Sequence, residues 1–145
     1  MEIYTIGFTK KSAEQFFEIL RKAGIKRVID IRLKNNSQIA GFTKAADLKF
    51  FLKRILNADY IHLLDLAPTE EILKGYQGEK IDWGEYERRF RDLMRERKIE
   101  QMVDKKLFRG KSALLCSEPT AEKCHRRLVA EHLQKQWKNI KVIHL

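Results

Sequence analysis

Ser112-Ala113-Leu114-Leu115-Cys116 is an apolar run that ends in a thiol. A short run with no polar alternation reads as a strand buried on both faces, which places it in the middle of a parallel sheet. On its C-terminal side, Pro119 suits the first position of a helix opening after Ser117-Glu118 and running to about Trp137. Ile140-Lys141-Val142-Ile143-His144 then reads as a last strand.

Working back from Ser112, a long helical pattern starts at Glu85, with Tyr86, Phe90, Leu93 and Met94 carrying the period. A loop with Gly75, Gly78 and Gly84 and a short helix opened by Pro68 precede it. Asp59 to Leu64 is a third strand, and Leu48, Phe51, Leu52, Ile55 and Leu56 mark a helix before that. The polar stretch Lys34 to Lys44 reads as a loop, and Val28-Ile29-Asp30-Ile31 lies in a second strand. Ser12 has Gln15 in the capping-box position and opens a helix that Gly24 closes, after a first strand at Ile3-Tyr4-Thr5-Ile6. Strand and helix alternate throughout, with no repeat and no linker. The expectation is an α/β chain forming a single three-layer α/β/α domain, residues 1–145, around a mostly parallel sheet of about five strands. Strand order is not readable from the sequence.

The composition narrows the function classes. Charged residues make up 34% and apolar residues 43% of 145, so a folded, well-solvated chain is expected. No stretch reaches the roughly 20 apolar residues of a membrane span, and Met1 to Phe8 lack a leader pattern, so a cytoplasmic protein without membrane contact is expected. Two cysteines make no disulfide framework; they are small core residues or reactive groups. A net charge of +10 raises the prospect of an anionic partner, either nucleic acid or an anionic small molecule. The excess lies in Arg88 to Lys111 and Lys123 to Lys141. Acids interleave with the bases of the first stretch at helical spacing, as on an ion-paired, solvated face.

In parallel sheets ligands sit beyond the carboxyl ends of strands. Four places meet that condition: Gly7-Phe8-Thr9, Asp30 with Arg32, His62, and Cys116-Ser117-Glu118. The last is the densest, because Cys124-His125-Arg126 fall in the helix expected to follow. At about 100° per residue, Val129, Ala130, Leu133 and Trp137 face the sheet and Arg126 shares their stripe, whereas Arg127 points elsewhere as surface. A buried arginine needs a carboxylate, carbonyls or an anion. Asp30, Glu118 and a bound anion are the candidates, and a purely structural ion pair is the alternative. Cys116, at a strand end before a helix N-terminus, has the setting of a low-pKa nucleophile, or else of an inert core thiol. Cys124 is a resolving thiol or core, His125 a general base or acid, and His132 and His144 are incidental.

No metal and no cofactor are expected. Adjacent helical residues diverge by about 100°, and the usual zinc spacings are missing around Cys116, Cys124 and His125. Dinucleotide, phosphate-loop, cysteine-phosphatase and GxSxG patterns are absent.

Tyr4-Thr5-Ile6-Gly7-Phe8-Thr9, Val28-Ile29-Asp30-Ile31-Arg32, Gly41-Phe42-Thr43-Lys44, Tyr60-Ile61-His62-Leu63, Trp83-Gly84-Glu85-Tyr86 and Leu114-Leu115-Cys116-Ser117-Glu118 with Cys124-His125-Arg126 occur in this order. Together they resemble the domain of unknown function 488 family. The resemblance implies an α/β fold and suggests that the paired cysteines matter to an enzymatic role. It supplies no reaction. Asn36 stands where a proline is expected and Gln38 where an arginine is usual, and Asp65 to Pro68 replace a leucine-glycine-glycine turn.

Two readings of function follow. The first is a small enzyme with Cys116, Cys124, His125 and Glu118 as catalytic groups, and Arg126, Arg32, Asp30, Thr9 and Gly7 around an anionic substrate, with nucleotides and nucleic acid among the candidates. The second is a non-catalytic domain that binds nucleic acid or a small anion through its basic surface.

Overall fold

The computed structural model describes residues 1–36 and 40–145; Gln38 lies outside them. In chain order the elements are β1 (Glu2–Gly7), α1 (Ala13–Ala23), β2 (Arg27–Asp30), α2 (Ala45–Phe51), β3 (Asp59–His62), α3 (Glu70–Gln77), α4 (Trp83–Arg97), α5 (Ile99–Met102), β4 (Ser112–Cys116), α6 (His125–Trp137) and β5 (Lys141–His144). The helix begun by α2 continues through a π-helical turn, Leu52–Leu56, and ends at Asn57 in the left-handed region.

All five strands are parallel, in the order β3-β2-β4-β1-β5. The apolar run Ser112–Cys116 is the central strand, and every one of its residues is buried. Alternation then sorts side chains between two cores. Tyr4, Ile6, Val28, Ala113 and Leu115 face Phe16, Phe17 and Leu20 of α1 and Leu48 of α2. Ile3, Ile29 and Leu114 face Phe90 and Met94 of α4 and Leu128, Val129 and Leu133 of α6. The result is the expected three layers.

The capping box at Ser12 forms as the sequence predicts: its side chain accepts from the Gln15 N–H while the Gln15 side chain accepts from the Ser12 N–H. Gly24 closes α1 with φ of 71°, a conformation that costs glycine little. A Ser12→Ala variant is expected to lose about 1 kcal/mol and about 3–4 °C in Tm, since one helix-end donor loses its acceptor. A thermal melt that does not move would show that α1 is held by packing alone.

The last helix departs from expectation. It starts at His125, not Pro119, with Cys124 as its N-cap in an extended conformation (φ −140°, ψ 140°). Residues 117–124 form an irregular loop whose carbonyls are taken by other segments. Ser117 O accepts from the Phe8 and Thr9 N–H groups at 3.3 and 2.9 Å, and Pro119 O accepts from Lys11 Nζ at 3.4 Å. A segment held this way from outside cannot bond to itself as a helix.

The basic stretch from Arg88 is ion-paired as its spacing predicts. Arg88 and Arg89 pair with Glu85, and Arg95 pairs with Asp92. Arg127 is more than surface: with Arg91 it bridges Glu87 of α4 and Glu131 of α6. His132 likewise bonds Glu100 of α5 at 2.8 Å. No helix among the described residues is long and apolar enough to cross a membrane.

Candidate functional site

The connections set where a site belongs. From β1 the chain passes to α1 on one side of the sheet; from the adjacent β4 it passes to α6 on the other. Loops that leave in opposite directions open a crevice at the carboxyl ends of those two strands. Gly7 and Cys116 are register partners there.

Cys116 lies in this crevice, 4% exposed, with its Sγ 3.3 Å from His125 Nδ1. The other ring nitrogen, His125 Nε2, is 2.7 Å from the Ile31 carbonyl oxygen. A carbonyl only accepts, so Nε2 carries a proton and Nδ1 is the nitrogen presented to sulfur. Phe90 packs edge-to-face on the imidazole, with centroids 5.5 Å apart. The ring is thus fixed in both orientation and tautomer.

Arg126 is wholly buried. Its NH1 donates to the Glu118 carbonyl at 2.6 Å and lies 3.7 Å from Cys124 Sγ; its Nε donates to Thr5 Oγ1 at 3.3 Å. NH2 has no partner among the described residues. The expectation that Asp30 or the Glu118 carboxylate balances Arg126 is corrected here. The backbone carbonyl of Glu118 does so, and the Glu118 side chain stands exposed at the rim. Gly7 permits this contact, because a Cβ there would lie 1.6 Å from the Glu118 oxygen.

Burial pushes the Cys116 thiol up, but the neighbouring Cys124 thiol and the charges of His125 and Arg126 more than offset it and hold it well below the ordinary value. Cys124 is pushed well above, by burial and by the neighbouring Cys116 sulfur. Burial lowers His125, yet the Cys116 sulfur and the Ile31 carbonyl leave it raised overall. Both directions favour the charged forms, thiolate at Cys116 and imidazolium at His125. Glu118 is raised by partial desolvation and by the Cys116 charge, against the pull of Arg126.

Asp30 and Arg32 belong to a different cluster on the other face. Asp30 accepts from Arg32 N, Nε and NH2 at 3.1, 2.9 and 2.8 Å and from the Tyr60 hydroxyl at 2.6 Å. Arg32 also donates to the Thr43 carbonyl and lies over the Phe8 ring. His62 Nε2 donates to the Arg32 carbonyl at 2.7 Å. The Asp30 carboxylate and the Arg32 fork are thus spent on each other and on the fold. Their link to the cysteine cluster is Ile31, whose side chain and carbonyl point to the opposite face. Thr9 is exposed and, like Gly7, joins the site through its backbone.

Thr5 escaped the sequence reading, and the reading of His144 as incidental is corrected here. Thr5 Oγ1 accepts from Arg126 and shares a hydrogen bond with His144 Nδ1, 2.7 Å away. Burial and the Arg126 charge lower the His144 pKa. Thr5 and His144 are register partners on β1 and β5, so strand order is the missing signal. The argument against a joint cluster of Cys116, Cys124 and His125 also fails. Cys124 precedes the helix instead of lying in it, and the three donor atoms all fall within 4.8 Å of one another.

Fold and site together define an α/β protein with a buried cysteine–histidine–arginine cluster at the switch point of a parallel sheet. The chain matches the family described as Domain of unknown function DUF488 over residues 12–133 and belongs to it. That span contains the whole Cys116–Arg126 segment; Thr5 and Gly7 precede it. Comparison with curated proteins and with solved structures gave no match.

Proposed function

We propose that this protein is a small cysteine-dependent enzyme acting on an anionic substrate. The observation that carries the reading is the 3.3 Å approach of Cys116 Sγ to a histidine whose other nitrogen is locked on the Ile31 carbonyl. A thiolate held this way attacks an electrophilic centre, forming a sulfur–substrate bond as the leaving group departs. The proton on His125 Nδ1 passes to the leaving group. Glu118, at the rim with its carboxyl pKa raised, is placed to exchange a proton with water in the second half of the reaction. The NH2 of Arg126, without a partner among the described residues, supplies attraction for a negative substrate group. Entry requires the 117–123 loop to move, since Cys116 and Cys124 are 4% and 2% exposed.

The test is the pH profile of Cys116 alkylation in folded Cys124→Ser protein, read as a midpoint because burial slows the absolute rate. The expected midpoint lies well below about 8.5. His125→Asn removes the imidazolium that favours the thiolate, so the midpoint rises and the rate at pH 6 falls by about tenfold or more. An ordinary midpoint in the starting protein, unmoved by His125→Asn, would sink the reading.

The nucleic-acid alternative draws less support, because Arg88, Arg89, Arg91, Arg95 and Arg127 pair with acids of the chain itself. Salt-sensitive retention on DNA or RNA at low ionic strength would revive it.

A further inference from the structure

We infer that Cys116, Cys124 and His125 form a binding site for a thiophilic divalent cation of the zinc class, with the fourth coordination position left to an external ligand. This goes beyond the enzymatic reading and does not depend on it. The two sulfurs and the imidazole nitrogen already lie within 4.8 Å of one another, and Cys116 Sγ and His125 Nδ1 are 3.3 Å apart. Tetrahedral zinc with bonds of about 2.3 Å to sulfur and 2.0–2.1 Å to nitrogen sets its donors about 3.5–3.8 Å apart, so the wider separations close by up to about 1 Å and the Cys116–His125 pair opens slightly.

The surroundings are those a metal ligand set requires. A ligating histidine usually donates its second N–H to a carbonyl or carboxylate, and His125 Nε2 donates to Ile31 O at 2.7 Å. Two thiolates neutralise a divalent ion, and Arg126 beside Cys124 balances the negative charge of the metal-free pair. No fourth His, Cys, Asp or Glu joins the group among the described residues. Three protein ligands with an open position favour exchange over permanent structural binding. The donor set of two sulfurs and one nitrogen selects zinc, cadmium or cobalt over magnesium or calcium, which prefer oxygen.

The test uses the full reduced chain and metal alone. Titration with Zn²⁺ against a chromophoric chelator should give one equivalent bound, and Co²⁺ should develop a thiolate-to-metal charge-transfer band with tetrahedral visible bands. Cys124→Ser and His125→Asn should each weaken binding by about a hundredfold. Circular dichroism checks their folding, and Cys124→Ser alone decides if His125→Asn does not fold. Absence of the charge-transfer band, or affinity kept within about twofold in folded Cys124→Ser, overturns the site. The two readings fail separately. A low alkylation midpoint without metal binding removes only the metal, and metal binding with an ordinary midpoint removes only the nucleophile.

Discussion

Replacing Asp30 by alanine is expected to cost about 3–5 kcal/mol of folding stability. The carboxylate is fully buried and accepts from Arg32 three times and from Tyr60 once. Truncation leaves the Arg32 guanidinium, 5% exposed, with only the Thr43 carbonyl as a hydrogen-bond partner among the described residues. A domain of this size has about 5–15 kcal/mol in all, so the loss is a large share. Urea unfolding reads it directly. A second effect should accompany it. The Asp30–Arg32 clamp brackets Ile31 and fixes the carbonyl that holds His125, so the Cys116 alkylation midpoint should drift upward. Tyr60→Phe, which removes the hydroxyl's bonds to Asp30 and from Asn35, should cost about 1–2 kcal/mol and leave the midpoint alone. A loss below about 1 kcal/mol in Asp30→Ala would mean that Arg32 finds other partners and that the cluster does not buttress the site.

Gly7→Ala carries the second large effect, through sterics. The added methyl would fall 1.6 Å from the Glu118 oxygen and 2.6 Å from Arg126 NH1, closer than any contact tolerates. Either β1 or the 117–124 loop must shift, at about 3 kcal/mol or more. The loop is the softer of the two, since Gly7 sits in a strand paired on both sides. As the loop moves out, Arg126 loses its best-placed acceptor and Cys116 gains exposure. The variant should be markedly less stable, yet alkylate faster at high pH, where the thiolate forms regardless of its neighbours. Wild-type stability together with a wild-type alkylation rate would contradict the close packing of Gly7 against Glu118.

The chain's own pattern revealed the architecture because burial leaves a compositional trace. Ser112–Cys116 reads as a central strand because it is covered on both faces, and α1 announces itself through Ser12, Gln15 and Gly24. Strand order leaves no such trace, and two errors follow from that. Asp30 and Cys116 both end neighbouring strands, but Asp30 is level with Leu115, so the two side chains point to opposite faces. Alternation would have separated them had the register been known. Thr5 and His144 become neighbours only once β1 and β5 are paired. The start of α6 was misread for a different reason: Pro119 is a fair helix opener locally, but Phe8, Thr9, Lys11 and Arg126 claim the loop's carbonyls from outside. Backbone groups such as Ile31 O carry no residue-specific mark at all. What did show was the cluster itself, because cysteine, histidine and arginine seldom crowd a strand end without a reason.

The position of β4 has a consequence for synthesis. Among the described residues β1 pairs only with β4 and β5, and β2 only with β3 and β4. A nascent chain emerging from the ribosome can therefore join β2 to β3 early, but β1 stays without a partner until residue 112 and beyond have been made. Its apolar residues Ile3 and Ile6 wait for more than a hundred positions of translation. Sheet closure is then a late, long-range event, favouring slow folding and early reliance on chaperones. The cysteine cluster inherits that timing. Its pieces come from β1, the β2 exit, β4 and α6, so no truncated product ending before residue 126 can assemble the Cys116–His125–Arg126 arrangement.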